Sequence, residues 1–204
     1  MLDGAARKWF NPALERTGRA LASRGVSANA VTLAGFALGM FAALLIAFHQ
    51  FWPALALIGL SRLADGLDGA VARATTKTDF GGYLDIVLDF AFYGMVPLAF
   101  VIADPAANAI AGAVLLVSFY VNGASFLAFA ILAERHGLQT TARGEKSLFF
   151  STGLAEASET ILVFAAMCAW PSAFPVLAWL FAALTFYTAL SRIILTAGSF
   201  APRQ

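Results

Sequence analysis

The chain has 204 residues, of which 60% are hydrophobic and only 12% are charged, and its formal net charge at pH 7 is +1. So apolar a composition is atypical of a water-soluble domain and indicates a protein that crosses a membrane several times. A net charge this small gives no argument for nucleic-acid binding, and a single cysteine, Cys168, excludes an intrachain disulfide.

Residues 1–27 are predicted to form an amphipathic juxtamembrane segment ahead of one membrane domain at residues 28–204. Within Leu2–Leu21 the apolar residues recur at helical spacing and basic residues occupy the other face, which is typical of a helix lying in the membrane interface. The pair Asn11 and Pro12 predicts a break, with a second helical piece beginning at Pro12. No early apolar run is present, so we expect no cleavable signal peptide.

Six long apolar stretches follow, each with the length that a helix needs to cross the hydrocarbon core of a bilayer. Turn-forming or charged residues separate them. We place the six spans near Ala28–His49, Trp52–Arg73, Phe80–Ala103, Ala107–Ala133, Leu148–Trp170 and Phe174–Thr196. The predicted fold class is an all-α integral membrane protein with six transmembrane helices and an N-terminal amphipathic interfacial helix.

Basic residues orient this predicted bundle. With six spans, every Lys and Arg except Arg62 lies in a flank or loop on one side, and the opposite three loops carry none. Cytoplasmic loops of membrane proteins are enriched in Lys and Arg, so both termini are predicted to face the cytoplasm from the inner membrane. Trp52 and Trp170 would then be aromatic anchors at the outer interface.

Four carboxylates lie in or beside strongly apolar sequence between residues 65 and 89. Asp65 and Asp68 are spaced i, i+3, and Asp85 and Asp89 are spaced i, i+4, so each pair lies on one face of a helix. Four acids without a counter-charge would be costly there. Divalent cations that prefer hard oxygen ligands, Mg²⁺ or Mn²⁺, suit carboxylates and phosphates best. Two metals between two antiparallel helices could bridge and neutralise a diphosphate.

The same stretch follows the pattern D-x-x-D-G-x-x-A-R, seven residues, then G-x-x-x-D-x-x-x-D. The eight fixed positions are Asp65, Asp68, Gly69, Ala72, Arg73, Gly81, Asp85 and Asp89. The pattern resembles the signature of the CDP-alcohol phosphotransferase family, integral membrane enzymes of phospholipid synthesis. The resemblance implies that the four aspartates ligate a pair of metal ions and that Asp89 is the general base. It further implies that an alcohol attacks the β-phosphorus of CDP-diacylglycerol, that CMP leaves, and that the enzyme is a homodimer.

The resemblance also implies which residues surround the CDP moiety. Small residues equivalent to Gly69, Ala72 and Gly81 surround the nucleotide in the family. The fork-shaped guanidinium group of Arg73 would donate hydrogen bonds to a phosphate. Asn29 and Thr32 match an Asn-x-x-Thr element of the family, although the proline that usually precedes it is absent. Taken alone, Asn29 and Thr32 would be interpreted as capping the first span.

Polar residues in the second half of the chain are candidates for binding the acceptor. Glu156 and Glu159 would favour an amine or a polyol, whereas Arg143, Lys146 and Arg192 would favour a phosphorylated acceptor. A purely structural pair, such as Glu156 with Arg192, is the alternative. The acceptor therefore stays open among glycerol phosphate, inositol phosphate, serine and other small alcohols.

Two other functions could use the same acids. They could form the relay of an ion- or proton-coupled transporter, or remain in a catalytically silent scaffold. Structural ion pairs, Asp65 with Arg62 or Asp68 with Arg73, are not expected to account for four acids in so short a span. The predicted function is the transfer of a phosphatidyl-type group from CDP-diacylglycerol to a small alcohol by two-metal catalysis.

Overall fold

The structure of the protein is a computed structural model that describes residues 3–136 and 157–200, without the side chains of residues 3–10 and Ser199. These residues form seven α-helices and contain no β-strand, so the predicted all-α class is confirmed. A 3-10 turn, Pro171–Ala173, precedes the last helix. The helices are α1 (Asp3–Ser23), α2 (Ala28–Ala47), α3 (Phe51–Ala74), α4 (Asp79–Ala103), α5 (Pro105–Arg135), α6 (Ala157–Ala169) and α7 (Phe174–Phe200).

Helix α2 packs closely against α3 and α4. Its contact surface includes Gly35 and Gly39, both buried, and the Ser61 hydroxyl on α3 donates a hydrogen bond of 2.7 Å to the carbonyl oxygen of Gly35. A Cβ atom added to Gly35 would lie 2.9 Å from the Cβ of Ala64. Glycine therefore permits a backbone approach that places α2 directly beside the acidic part of α3.

An aromatic cluster holds the bundle together at the end away from the four acids. The ring of Phe100 on α4 stacks between Phe174, at a centroid distance of 4.8 Å, and Phe51, at 5.8 Å. Phe100 and Phe174 are almost fully buried. Aromatic pairs of this kind add to the stabilisation that their buried area provides. The helices that carry the acids are thus fixed to each other at one end, which leaves the other end for the site.

Within residues 3–136 and 157–200, four helical segments are long and apolar enough to cross a membrane: Ala28–Ala47, Asp79–Ala103, Pro105–Arg135 and Pro171–Gly198. Large apolar side chains on the outside of the bundle, Phe41 and Ile110 among them, are exposed as lipid-facing residues would be. The predicted count of six is not confirmed. Helix α3 is long enough but carries several charges, and α6 is apolar but short within the described part of the chain.

The predicted break at Asn11 and Pro12 is wrong, because α1 continues through both residues. Pro12 lies on the exposed side of α1, where water can solvate the one carbonyl that the proline leaves without a partner. Helix α1 packs along α3, and a Cβ on Gly18 would lie only 2.7 Å from the Cβ of Ala70. This close contact holds α1 against α3; the placement of α1 in the membrane interface stays a prediction.

Replacing Gly35 with leucine is expected to destabilise the protein, because the new side chain would force α2 away from α3. Overpacking of a closely packed contact typically costs about 1–3 kcal/mol. Gly59, on the neighbouring helix α3, has open space around its Cβ position and provides the matched control, Gly59→Leu. Thermal unfolding in detergent should show a lower midpoint for Gly35→Leu alone. Equal midpoints for the two variants would contradict this packing.

Candidate active site

Three of the four acids come together where α3 and α4 lie beside the short turn that joins them. Each of Asp65, Asp85 and Asp89 offers a carboxylate oxygen, and these oxygens lie within 4.8 Å of one another. The turn is well defined: the Thr78 hydroxyl caps α4 by accepting a hydrogen bond of 3.0 Å from the amide of Gly81. Since Asp85 and Asp89 are one helical turn apart, both project toward α3.

Asp68 lines the same cavity as these three acids, together with Thr32 and Ser61. Asp68 is buried, and its Oδ2 atom has no hydrogen-bond partner among the described residues. A buried carboxylate oxygen without a partner is costly unless a cation or a donor meets it. The oxygen-only donor set and the unpartnered Oδ2 fit a divalent cation such as Mg²⁺ or Mn²⁺.

Arg62 lies among the acids and contacts Asp89 as well as Asp65; the contact with Asp89 was not predicted. Its Nη1 donates hydrogen bonds of 2.8 Å to Asp89 Oδ1 and 3.3 Å to Asp65 Oδ1. The ion pair of Asp65 with Arg62, which we did not expect to matter, therefore forms. The signal that could have found it was the i, i+3 spacing of Arg62 and Asp65, which puts a cation on the acidic face of α3.

The other structural pair that was considered, Asp68 with Arg73, does not form among the described residues. Arg73 instead reaches α1, where both Nε and Nη2 lie 2.7 Å from Glu15 Oε1. A Cβ on Gly69 would lie 3.2 Å from Arg73 Nη1, so this glycine leaves room for the guanidinium group. The pair is partly exposed to solvent at the end of α3.

Of the remaining residues that the resemblance assigns to the CDP moiety, Thr32 lines the cavity of the acids, and the others lie near the ends of α2, α3 and α4. The Asn29 side chain lies against Gly81, since a Cβ there would be 3.0 Å from Asn29 Oδ1. Thr32 donates to the carbonyl oxygen of Ala28 and lines the cavity of the acids. Neither residue caps α2, because Ser27 is the N-cap. The other member of the set, Ala72, is half-buried on α3.

The two candidates for acceptor binding that the structure describes, Glu159 and Arg192, do not line this cavity. Arg143, Lys146 and Glu156 lie outside the described residues. Glu159, in the first turn of α6, accepts a hydrogen bond of 3.0 Å from the Ser158 hydroxyl and does not line the cavity of the acids.

Arg192 on α7 lines a second cavity, between α5 and α7. Its Nη1 donates to both oxygens of Asn122, at 3.0 and 3.1 Å, and to the Ser125 hydroxyl at 2.6 Å. Arg192 is thus anchored to α5, apart from the four acids.

Comparison with known proteins decides the family. The family model for CDP-alcohol phosphatidyltransferases matches residues 26–191, most of the chain and all of the acidic site. The chain belongs to this family. Membership makes it a CDP-alcohol phosphotransferase, a membrane-associated transferase of phospholipid synthesis.

Two sequence relatives align with most of this CDP-alcohol phosphotransferase. The chain is 44% identical over 193 residues to the inner membrane protein YnjF of Escherichia coli (strain K12), covering 95% of this chain and 94% of the relative. It is 29% identical over 160 residues to the archaetidylinositol phosphate synthase of Methanothermobacter thermautotrophicus, covering 76% of this chain and 72% of the relative. An inner membrane protein among the relatives fits the apolar helices of this chain.

The fold of this CDP-alcohol phosphotransferase resembles that of the phosphatidylinositol phosphate synthase PgsA1 of Mycobacterium tuberculosis. The crystal structure of PgsA1 with CDP-DAG bound has a TM-score of 0.71 and 22% identity, covering 94% of this chain and 98% of PgsA1. The structure of PgsA1 with manganese and citrate has a TM-score of 0.73 and 23% identity, covering 94% of this chain and 93% of PgsA1. The likeness extends over nearly the whole of both chains, so the fold is shared.

Proposed function

We propose that this CDP-alcohol phosphotransferase transfers a phosphatidyl-type group from CDP-diacylglycerol to a small alcohol and releases CMP. The observation that carries the proposal is the convergence of Asp65, Asp85 and Asp89, with the buried Oδ2 of Asp68 in the same cavity. PgsA1, which has this fold, has been crystallised with CDP-DAG and with manganese, and these are the two ligands that the proposal requires.

The four acids would hold up to two divalent cations, Mg²⁺ or Mn²⁺. When bound, such cations neutralise a diphosphate and stabilise the charge that develops on the leaving CMP. Asp89 accepts the proton of the acceptor hydroxyl as general base. The hydroxyl oxygen then forms a bond to the β-phosphorus, and the bond from that phosphorus to the CMP oxygen breaks. Asp89 is suited to this role because it lies on the α4 side of the cavity with its carboxylate already oriented by Arg62.

The CDP moiety would bind across the ends of α2, α3 and α4. Gly69, Ala72 and Gly81 leave room for the nucleotide, and Asn29 and Thr32 offer polar groups to it. Arg73 would donate to a phosphate, since its planar guanidinium group matches phosphate geometry and lies at the exposed end of α3. To do so Arg73 must share or leave its contact with Glu15.

In the proposed topology six helices cross the inner membrane, and α1 lies on its cytoplasmic surface, with both termini and the site facing the cytoplasm. At a rise of 1.5 Å per residue, α3 is about 36 Å long, which exceeds the hydrocarbon core of a bilayer. Three of its charged residues, Arg62, Asp65 and Asp68, line the cavity of the acids, and in this topology they lie toward the cytoplasmic end. Trp52 and Trp170 are exposed at the opposite end, as interfacial anchors would be. The enzyme is expected to be a homodimer.

Two classes of acceptor are compatible with the polar residues of the second half. Arg143, Lys146 and Arg192 would recognise a phosphorylated alcohol such as inositol phosphate or glycerol phosphate, and Glu156 and Glu159 would favour an amine or a polyol. The phosphorylated class is the first to test, because three of the five candidate residues are cations, which suit a phosphate.

The purified protein should release CMP from CDP-diacylglycerol only when both a divalent cation and an acceptor are present. The panel of acceptors includes inositol phosphate, glycerol phosphate, serine and free polyols. Release that needs no acceptor would indicate hydrolysis and contradict the transfer. Ion flux into liposomes without CMP release would instead support the transporter, and neither activity would support a silent scaffold.

A further inference from the structure

We propose that Arg62 is a positioning residue that fixes the Asp89 carboxylate and sets how strongly the four acids attract divalent cations. The inference rests on the proposed function, in which Asp89 accepts the proton of the acceptor alcohol. It concerns a residue outside the eight positions of the family signature. Arg62 has contacts on three sides: with the acids, with Ser61 and with the ring of Phe92.

The Arg62 guanidinium group bridges the two helices that carry the acids. Nη1 donates to Asp89 on α4 at 2.8 Å and to Asp65 on α3 at 3.3 Å. The Arg62 side chain is 16% exposed, against 32% and 36% for these two aspartates, so the cation lies deeper than the acids that it joins. A charge-assisted hydrogen bond in such a place is short and directional.

Arg62 is itself held in place by groups that take no part in the chemistry. Nη2 donates to the Ser61 hydroxyl at 3.2 Å, and that hydroxyl donates to the Gly35 carbonyl at 2.7 Å. The guanidinium carbon lies 4.2 Å from the centre of the fully buried Phe92 ring, a cation–π contact. A side chain fixed from both sides can orient a flexible partner.

Orientation of Asp89 follows from this anchoring. A carboxylate can rotate about its last torsion, and a donor on Oδ1 restrains that rotation. The second oxygen, Oδ2, stays free of Arg62 and can accept a proton or ligate a cation. Lysine carries the same charge but lacks the planar fork, so it would retain the charge while losing the defined geometry.

The positive charge of Arg62 predicts an effect on metal affinity that a purely structural residue would not have. The formal positive charge of Arg62 lies beside two of the proposed metal ligands and opposes the approach of a divalent cation. Replacing Arg62 with a neutral residue should therefore tighten metal binding and slow turnover. If Arg62 only held the bundle together, its removal would loosen the site, and metal affinity and turnover would fall together.

The test compares Arg62→Gln and Arg62→Lys with the wild type and with Arg24→Gln, a control in the turn between α1 and α2. Binding of Mn²⁺ alone is measured by electron paramagnetic resonance of the free ion, without substrate. For Arg62→Gln we expect about fivefold tighter Mn²⁺ binding and a kcat about 100-fold lower, with the KM for CDP-diacylglycerol within about threefold of the wild type. For Arg62→Lys we expect unchanged Mn²⁺ affinity and a kcat about tenfold lower.

Weaker Mn²⁺ binding by Arg62→Gln, or a wild-type kcat in either variant, would overturn the inference. If Arg62→Gln does not fold, Arg62→Lys decides: a lower kcat with unchanged Mn²⁺ affinity supports positioning, and parallel losses refute it. A wild type that binds Mn²⁺ but releases no CMP would contradict the proposed function. The Mn²⁺ affinities of the variants would then still show whether the charge of Arg62 opposes cation binding.

Discussion

Asp89→Asn is expected to lower the kcat for CMP release by about 1000-fold, because it removes the group that accepts the proton of the acceptor. Asparagine has nearly the same shape as aspartate but cannot act as a base, and it brings one negative charge less to the cations. The protein should still fold, since Asp89 is partly exposed and the aromatic cluster of Phe51, Phe100 and Phe174 is distant from it. The kcat is measured with saturating CDP-diacylglycerol and acceptor.

The control for Asp89→Asn is Asp79→Asn, which removes the same charge from the exposed first turn of the same helix. We expect Asp79→Asn to stay within about twofold of the wild-type kcat, as surface changes usually do. Both variants should elute as the wild type does in size-exclusion chromatography. A near-normal kcat for a folded Asp89→Asn would rule out Asp89 as the base.

Asp85→Asn is expected to weaken Mn²⁺ binding by about 100-fold, because it removes a charged oxygen ligand from a site where charge sets affinity. The Asp85 carboxylate belongs to the group of three whose oxygens lie within 4.8 Å of one another. Asp79→Asn again serves as the control and should bind Mn²⁺ as the wild type does. The free Mn²⁺ signal in a titration measures both.

The Mn²⁺ titration of Asp85→Asn also separates the enzyme from the transporter. A relay of protons through the acids does not require a bound divalent cation. Unchanged Mn²⁺ affinity in Asp85→Asn would therefore remove the main support for metal-dependent transfer. Loss of Mn²⁺ binding together with loss of CMP release would support it.

The convergence of the acids could be predicted from spacing alone. Pairs at i, i+3 and i, i+4 define one face on each of two helices, and the short turn that joins the helices lets these two faces meet close to it. Apolar length likewise predicted the helices on either side of Asp104, which accepts a hydrogen bond from Ala107 as the N-cap of α5. These features are local, so the sequence carries them.

Long-range contacts could not be predicted in the same way. Arg62 reaches Asp89 across 27 positions of sequence, and Arg73 reaches Glu15 across 58, because α2 packs against both α3 and α4 and α1 packs along α3. Pro12 predicted a break, yet the helix continues, because the exposed position lets water take the place of the lost hydrogen bond. Tertiary packing decides such cases, and local preference does not.

The direct test of a metal pair among the four acids is anomalous X-ray scattering from crystals grown with Mn²⁺. We expect two Mn²⁺ peaks about 4 Å apart, within ligand distance of the carboxylates of Asp65, Asp68, Asp85 and Asp89. Crystals that hold no Mn²⁺ between α3 and α4, with the carboxylates turned away from one another, would contradict the proposed catalytic site.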